Sequence, residues 1–127
     1  MKLIDVVNAH IAAVEMGQLS WPYDMALALV KVKKSTKTDV DFFVREEREL
    51  VMQYAALDES GNVRLTPNNT FIFKDPAMCA EYERNRAELG NTEAGERPAT
   101  IRVKAPAEIK PAYIEALDGF IEFSEGN

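Results

Sequence analysis

One histidine, His10, and one cysteine, Cys79, are the side chains of this sequence best suited to acid–base or nucleophilic chemistry. His10 sits at the edge of an apolar stripe made by Leu3, Val7, Ile11 and Val14. A lone histidine acts as a general base only beside a nucleophile or an orienting carboxylate, and no neighbour in sequence resembles a triad. It reads as an ordinary helix-face histidine. Cys79 lies one turn into a helix that starts at Asp75-Pro76, a place where a thiol's pKa can fall. Ala80 and Glu81 bring neither base nor cation, so Cys79 reads as a small buried thiol. A single cysteine excludes an intramolecular disulfide, and with a single histidine it excludes a Cys/His zinc site. The run Asp58-Glu-Ser-Gly-Asn62 has the composition of a calcium loop without its spacing. An EF-hand counted from Asp58 needs glycine where Val63 stands and glutamate where Asn69 stands, so the run is a turn. The sequence has no GxGxxG, Walker, HExxH, GxSxG or CxxC motif. It is read as non-enzymatic, with no catalytic residue, metal or cofactor.

Residues that could make contacts are more numerous. Lys31, Lys33, Lys34 and Lys37 form the one strong positive patch, suited to a phosphate, a nucleotide or an acidic partner. The plainer account is that they close a helix and offset the negative end of its dipole. Two carboxylate groups, Glu46/Glu47/Glu49 and Glu81/Glu83/Glu88, could imitate nucleic-acid phosphates in a basic groove. Arg45, Arg48, Arg84 and Arg86 interrupt both, which favours solvated helix faces. Trp21 and Tyr23, with Phe71 and Phe73, are candidate aromatic anchors for which core packing is the competing use. The partner-contact set read from the sequence is Trp21, Lys31, Lys33, Lys34 and Lys37.

Positioning these residues falls to about five helices and a small sheet. Residues 3–16 are amphipathic and stop at Gly17. Pro22 fits the first turn of a second helix, whose Met25-Ala-Leu-Ala-Leu-Val30 is apolar nearly all round and should be the most buried. Ser35-Thr-Lys-Thr38 reads as a polar joint, with Thr38 capping a third helix over residues 39–57. The second and third helices should then pack as an antiparallel pair. Residues 63–65 and 70–73 read as a hairpin, with the alternating strand 100–104 pairing to it in an antiparallel sheet. Asp75-Pro76 starts a surface helix that ends near Leu89-Gly90, and Asn91–Pro98 is a polar loop suited to a partner. Pro111 starts a final helix with Tyr113, Ile114, Leu117, Phe120 and Ile121 on one face, and the last four residues should fray.

The chain has 127 residues, 15 Lys+Arg against 21 Asp+Glu, and a net charge of −6. At 46% apolar and 28% charged it is globular in composition, and its 14.2 kDa supports one core over residues 1–127. The acidic balance disfavours a nucleic-acid backbone as main partner, and no apolar run approaches the ~20 residues of a membrane span. The expected class is α+β, mainly helical, in a small soluble intracellular protein.

Several features taken in order resemble a known group. They are Met25-Ala-Leu-Ala-Leu-Val-Lys31 before a charged helix, Asp58-Glu-Ser-Gly-Asn62, Phe73-Lys-Asp-Pro76, Ile101-Arg-Val-Lys104 and Ile114-Glu-Ala-Leu-Asp-Gly-Phe-Ile121. The pattern, spread over residues 3–123, is similar to small uncharacterised proteins of phages and prophages of Gram-positive bacteria. That resemblance implies a phage or prophage origin, a bacterial host cytoplasm and no catalytic residues, and the longer polar stretch at Asn91–Pro98 departs from it. The resulting expectation is an accessory that binds a protein partner, for example an inhibitor of a host defence nuclease. The alternatives are a self-associating assembly or scaffold accessory and a module that sequesters a small anion or nucleotide at the lysines.

Overall fold

A computed structural model describes residues 1–95 and 99–124. The chain begins with α1 (Leu3–Met16), turns through residues 17–22, and enters α2 (Tyr23–Tyr54). A short 3₁₀ turn, Pro76–Met78, leads into α3 (Cys79–Gly90), followed by β1 (Ile101–Lys104), α4 (Pro111–Leu117) and β2 (Ile121–Ser124).

The expected pair of helices joined at Ser35–Thr38 is one continuous helix of 32 residues, about 48 Å long. The joint's hydroxyls do not cap anything. Ser35 Oγ and Thr36 Oγ1 both donate to the Val32 carbonyl, at 3.1 and 2.7 Å, bonds made inside a helix rather than at its end. Burial also runs straight through the segment. Met25, Ala28, Leu29, Val32, Thr36 and Phe43 lie on one buried side, facing α1. Met25–Val30 is not buried all round, since Leu27 and Val30 remain more than a third exposed.

The expected antiparallel sheet of residues 63–73 and 100–104 does not form. Among the described residues the sheet has two strands, β1 and β2, paired in parallel from Ile101↔Ile121 to Lys104↔Ser124. Parallel neighbours require a long crossover, which α4 and its flanking prolines supply. The last helix therefore stops at Leu117 rather than absorbing Phe120 and Ile121. Gly119, at φ +86°, turns the chain so that Phe120 enters the core from the turn and Ile121 from the start of β2. Residues 63–65 and 71–73 instead join residues 55–57 in isolated antiparallel bridges. Ala56 N–H donates to the Ile72 carbonyl, Ile72 N–H to that of Arg64, and Arg64 N–H to that of Ala56, closing a ring of three segments.

The main core joins α1, the first half of α2, β1, α4 and β2, with Met16, Met25, Leu29, Val32 and Leu117 nearly inaccessible. Leu3, Val7 and Phe43 form a smaller cluster with Leu89 of α3 against it. The second half of α2 is held by α3 instead. Arg86 Nε donates to Glu47 at 2.9 Å, Asn85 donates to the Tyr54 hydroxyl at 2.8 Å, and Tyr82 meets Tyr54, Phe71 and Phe73 edge to face.

Candidate functional site

Trp21 is the contact candidate that the fold takes inward. Its indole N–H donates to the Met16 carbonyl at 2.7 Å and its ring packs on the main core. The residue locks the turn between α1 and α2. Tyr23, two residues on, is 81% exposed.

The lysines do not close a helix. They stand in the first half of α2, which ends at Tyr54, so dipole compensation does not account for them. At 100° per residue Lys31 stands roughly 160° round the helix from Lys33. The patch is therefore divided. Lys33, Lys34 and Lys37 line a shallow groove of about 350 Å³ with His10, Val30 and Asp41. Lys31 lies outside it, on the outer stripe shared by Tyr23, Leu27 and Lys34. The groove holds its own carboxylate: Lys37 Nζ is 2.9 Å from Asp41 Oδ2. That internal pairing weakens the case for a sequestered anion.

His10 belongs to the wall of this groove. The Thr36 hydroxyl donates its single proton to Val32, so it accepts from His10 Nδ1–H at 2.9 Å. The bond makes the ring a structural strut between α1 and α2. Cys79 is partly rather than fully buried, with its thiol 4.0 Å from Glu83 Oε1. Asp58 Oδ1 accepts from the N–H groups of Ser60 and Asn62, at 2.9 and 3.0 Å, and Gly61 takes φ +82°, the geometry of a tight turn.

A second groove involves residues that sequence reasoning did not single out. About 730 Å³ opens between α1 and α4, lined by Ala12, Ala112 and Ala116 together with Asp5, Glu15, Glu115 and Asp118. Its two walls come from opposite ends of the chain, and no local spacing announces them. Partial burial, then the Glu15 carboxylate beside it, push the Tyr113 hydroxyl above its ordinary pKa. Among the described residues no cluster of three or more His, Cys, Asp or Glu is arranged to hold a metal ion, and no buried side-chain polar atom lacks a partner. Among them, too, no helix is long and apolar enough to cross a membrane.

Of the two arginine-interrupted acidic stretches, Glu47 is tied to Arg86 and Glu46 lies 3.7 Å from Arg45. Polar loop residues 91–95 partly return to α1: Leu3 N–H donates to the Thr92 carbonyl and the Met1 amino group to Glu93. The remainder of that expected contact loop, residues 96–98, lies outside the described residues, as do residues 125–127 of the expected frayed end, whereas its first residue, Ser124, is paired with Lys104 in β2. No known protein family, curated protein or solved structure matches the chain.

Proposed function

We propose that this is a non-enzymatic accessory protein that works by binding another protein through the outer face of α2. One observation carries the reading. Tyr23 is 81% exposed and Leu27 sits one turn further on, outward on a helix whose other side is core. Exposed aromatic and aliphatic side chains at one helical spacing are typical anchors of helix-mediated recognition. Lys31 and Lys34 continue the stripe, so the fitting partner offers an apolar pocket with carboxylates beside it. The resemblance to phage proteins supports a partner in a bacterial host. The −6 charge and that resemblance support the narrower form, an inhibitor seated on a host defence nuclease.

The test is affinity capture from bacterial lysate with three proteins side by side: wild type, Tyr23→Ser/Leu27→Ser, and Lys31→Glu/Lys34→Glu. Wild type should retain one stoichiometric protein, and both variants, folded by circular dichroism, should lose it. Equal retention by all three proteins, or capture of nothing by wild type, overturns the reading.

A further inference from the structure

A second surface, separate from the Tyr23–Leu27 stripe, has the pattern of a self-complementary contact. We infer that the outer face of α1 seats a second copy of this chain, in a two-fold dimer whose axis runs parallel to α1.

The crest of this face is apolar: Ile11 is 48% and Val14 40% exposed, three residues apart on α1. One flank is basic on balance: Lys33, Lys34 and Lys37 line the groove beside His10 and Val30, with Asp41 paired to Lys37 and leaving Lys33 and Lys34 in excess. The other is acidic, formed by Asp5, Glu15, Glu115 and Asp118 along the α1–α4 groove. On α1 itself, His10 stands roughly 180° from the centre of Asp5, Asn8, Ala12 and Glu15, with Ile11 and Val14 between them. Both flanks follow the same stretch of helix. Thr36, between Lys33 and Lys37, bonds His10, Lys33 Nζ reaches the Gly17 end, and Glu15 lines the groove with Tyr113 on the opposite side.

An isologous contact must be complementary to itself. A two-fold axis along α1 stacks crest on crest and sets each basic flank against the partner's acidic flank. An axis perpendicular to α1 within the face would set lysines on lysines and carboxylates on carboxylates. The charge pattern therefore selects one symmetry, and it favours a second copy over an unrelated protein because both complements are on the same face. The net charge of −6 opposes approach at long range. Salt at about 0.15 M screens that repulsion beyond roughly 8 Å and leaves contact pairs effective. Leu89 and Gly90 of α3 cover α1 at Ile4 and Val7, so the open face spans residues 8–15, about 12 Å long, and a helix on each side makes it about 20 Å wide, a small interface. Association is expected in the range of tens to hundreds of micromolar.

The experiment is light scattering and sedimentation of the full chain over a concentration series in about 0.15 M salt. Wild type should approach twice 14.2 kDa as concentration rises. Lys33→Glu/Lys37→Glu and Glu15→Lys/Glu115→Lys, each folded by circular dichroism, should each associate at least about tenfold more weakly. An equimolar mixture of the two variants should regain the dimer, because each acidic pair of flanks then meets a basic one. A wild type that stays monomeric to about 1 mM, beyond the expected range, overturns the inference. So do variants that associate like wild type, or a mixture that stays monomeric. None of these outcomes depends on capture through Tyr23 and Leu27.

Discussion

Thr36 is the buried polar side chain on which the pairing of α1 with α2 turns, fully buried and bonded to both Val32 and His10. Thr36→Val keeps the volume and removes the acceptor, stranding the partly buried His10 Nδ1–H. The expected cost is about 1–3 kcal/mol by urea denaturation, against less than about 0.5 kcal/mol for Ser35→Ala at the exposed neighbour. Two tyrosines give a pH signature. Burial first of all raises the Tyr82 hydroxyl above its ordinary value near 10, opposed by Arg86 and aided by Glu47 and Glu83; Tyr113 is raised for the reasons given above. A phenol that holds its proton more tightly folded than unfolded stabilises the fold below the unfolded pKa. That contribution is lost as pH rises through the folded value. Stability should therefore fall from about pH 10 upward, and Tyr82→Phe should flatten the slope in urea unfolding followed from about pH 8 to about pH 11. The helix-face reading of His10 agrees with its geometry. Its partner, 26 residues away, was not legible, because a helix periodicity says which side faces inward and not what waits there.

At the scale of elements, the continuity of α2 is the feature with the sharpest consequence. Lys37→Pro at an exposed site would be tolerated in a loop between two helices. In an unbroken helix it removes a backbone hydrogen bond and clashes with the preceding turn, costing about 3 kcal/mol or more. Loss of cooperative thermal unfolding near the wild-type temperature is the expected observation. Gly119→Ala should cost about 1 kcal/mol, because φ +86° is strained for any residue with a Cβ. Both corrections have one physical origin. Ser35–Thr38 contains good capping residues, yet Thr36 faces the same buried side as Val32 and Phe43, and burial outweighs a cap worth about 1 kcal/mol. Likewise Phe120 and Ile121 fit a helical stripe on paper, and they are buried just as well from the glycine turn and β2.

For the whole molecule, the surface of 8683 Å² exceeds the roughly 6,800 Å² expected of a compact chain of this mass. The excess fits a long α2 whose second half is covered by α3 and the three-segment ring rather than by the main core. Between Ala56 and Leu89 no described residue is fully buried. Native-state hydrogen exchange should find residues 56–74 opening at lower free energy than α1 and the first half of α2. Tyr82→Ala, which removes the ring shared by Tyr54, Phe71 and Phe73, should loosen that end alone. Leu117→Ala should act globally, costing about 2–5 kcal/mol in urea unfolding, because its side chain is wholly enclosed in the main core.

The sequence by itself determined the mainly helical character, the start and stop of α1, the Asp58–Asn62 turn and the helix start at Asp75-Pro76. Each depends on periodicity, proline or turn chemistry acting within a few residues. Tertiary structure alone decided that α2 runs unbroken, that β1 pairs in parallel with β2, and that the lysines divide between two faces. It also placed Asp5 and Glu15 opposite Glu115 and Asp118. Those outcomes depend on which side chains from distant parts of the chain share a core. Burial of apolar surface among α1, α2, α4 and the strands outweighs the fractions of a kcal/mol by which local signals differ.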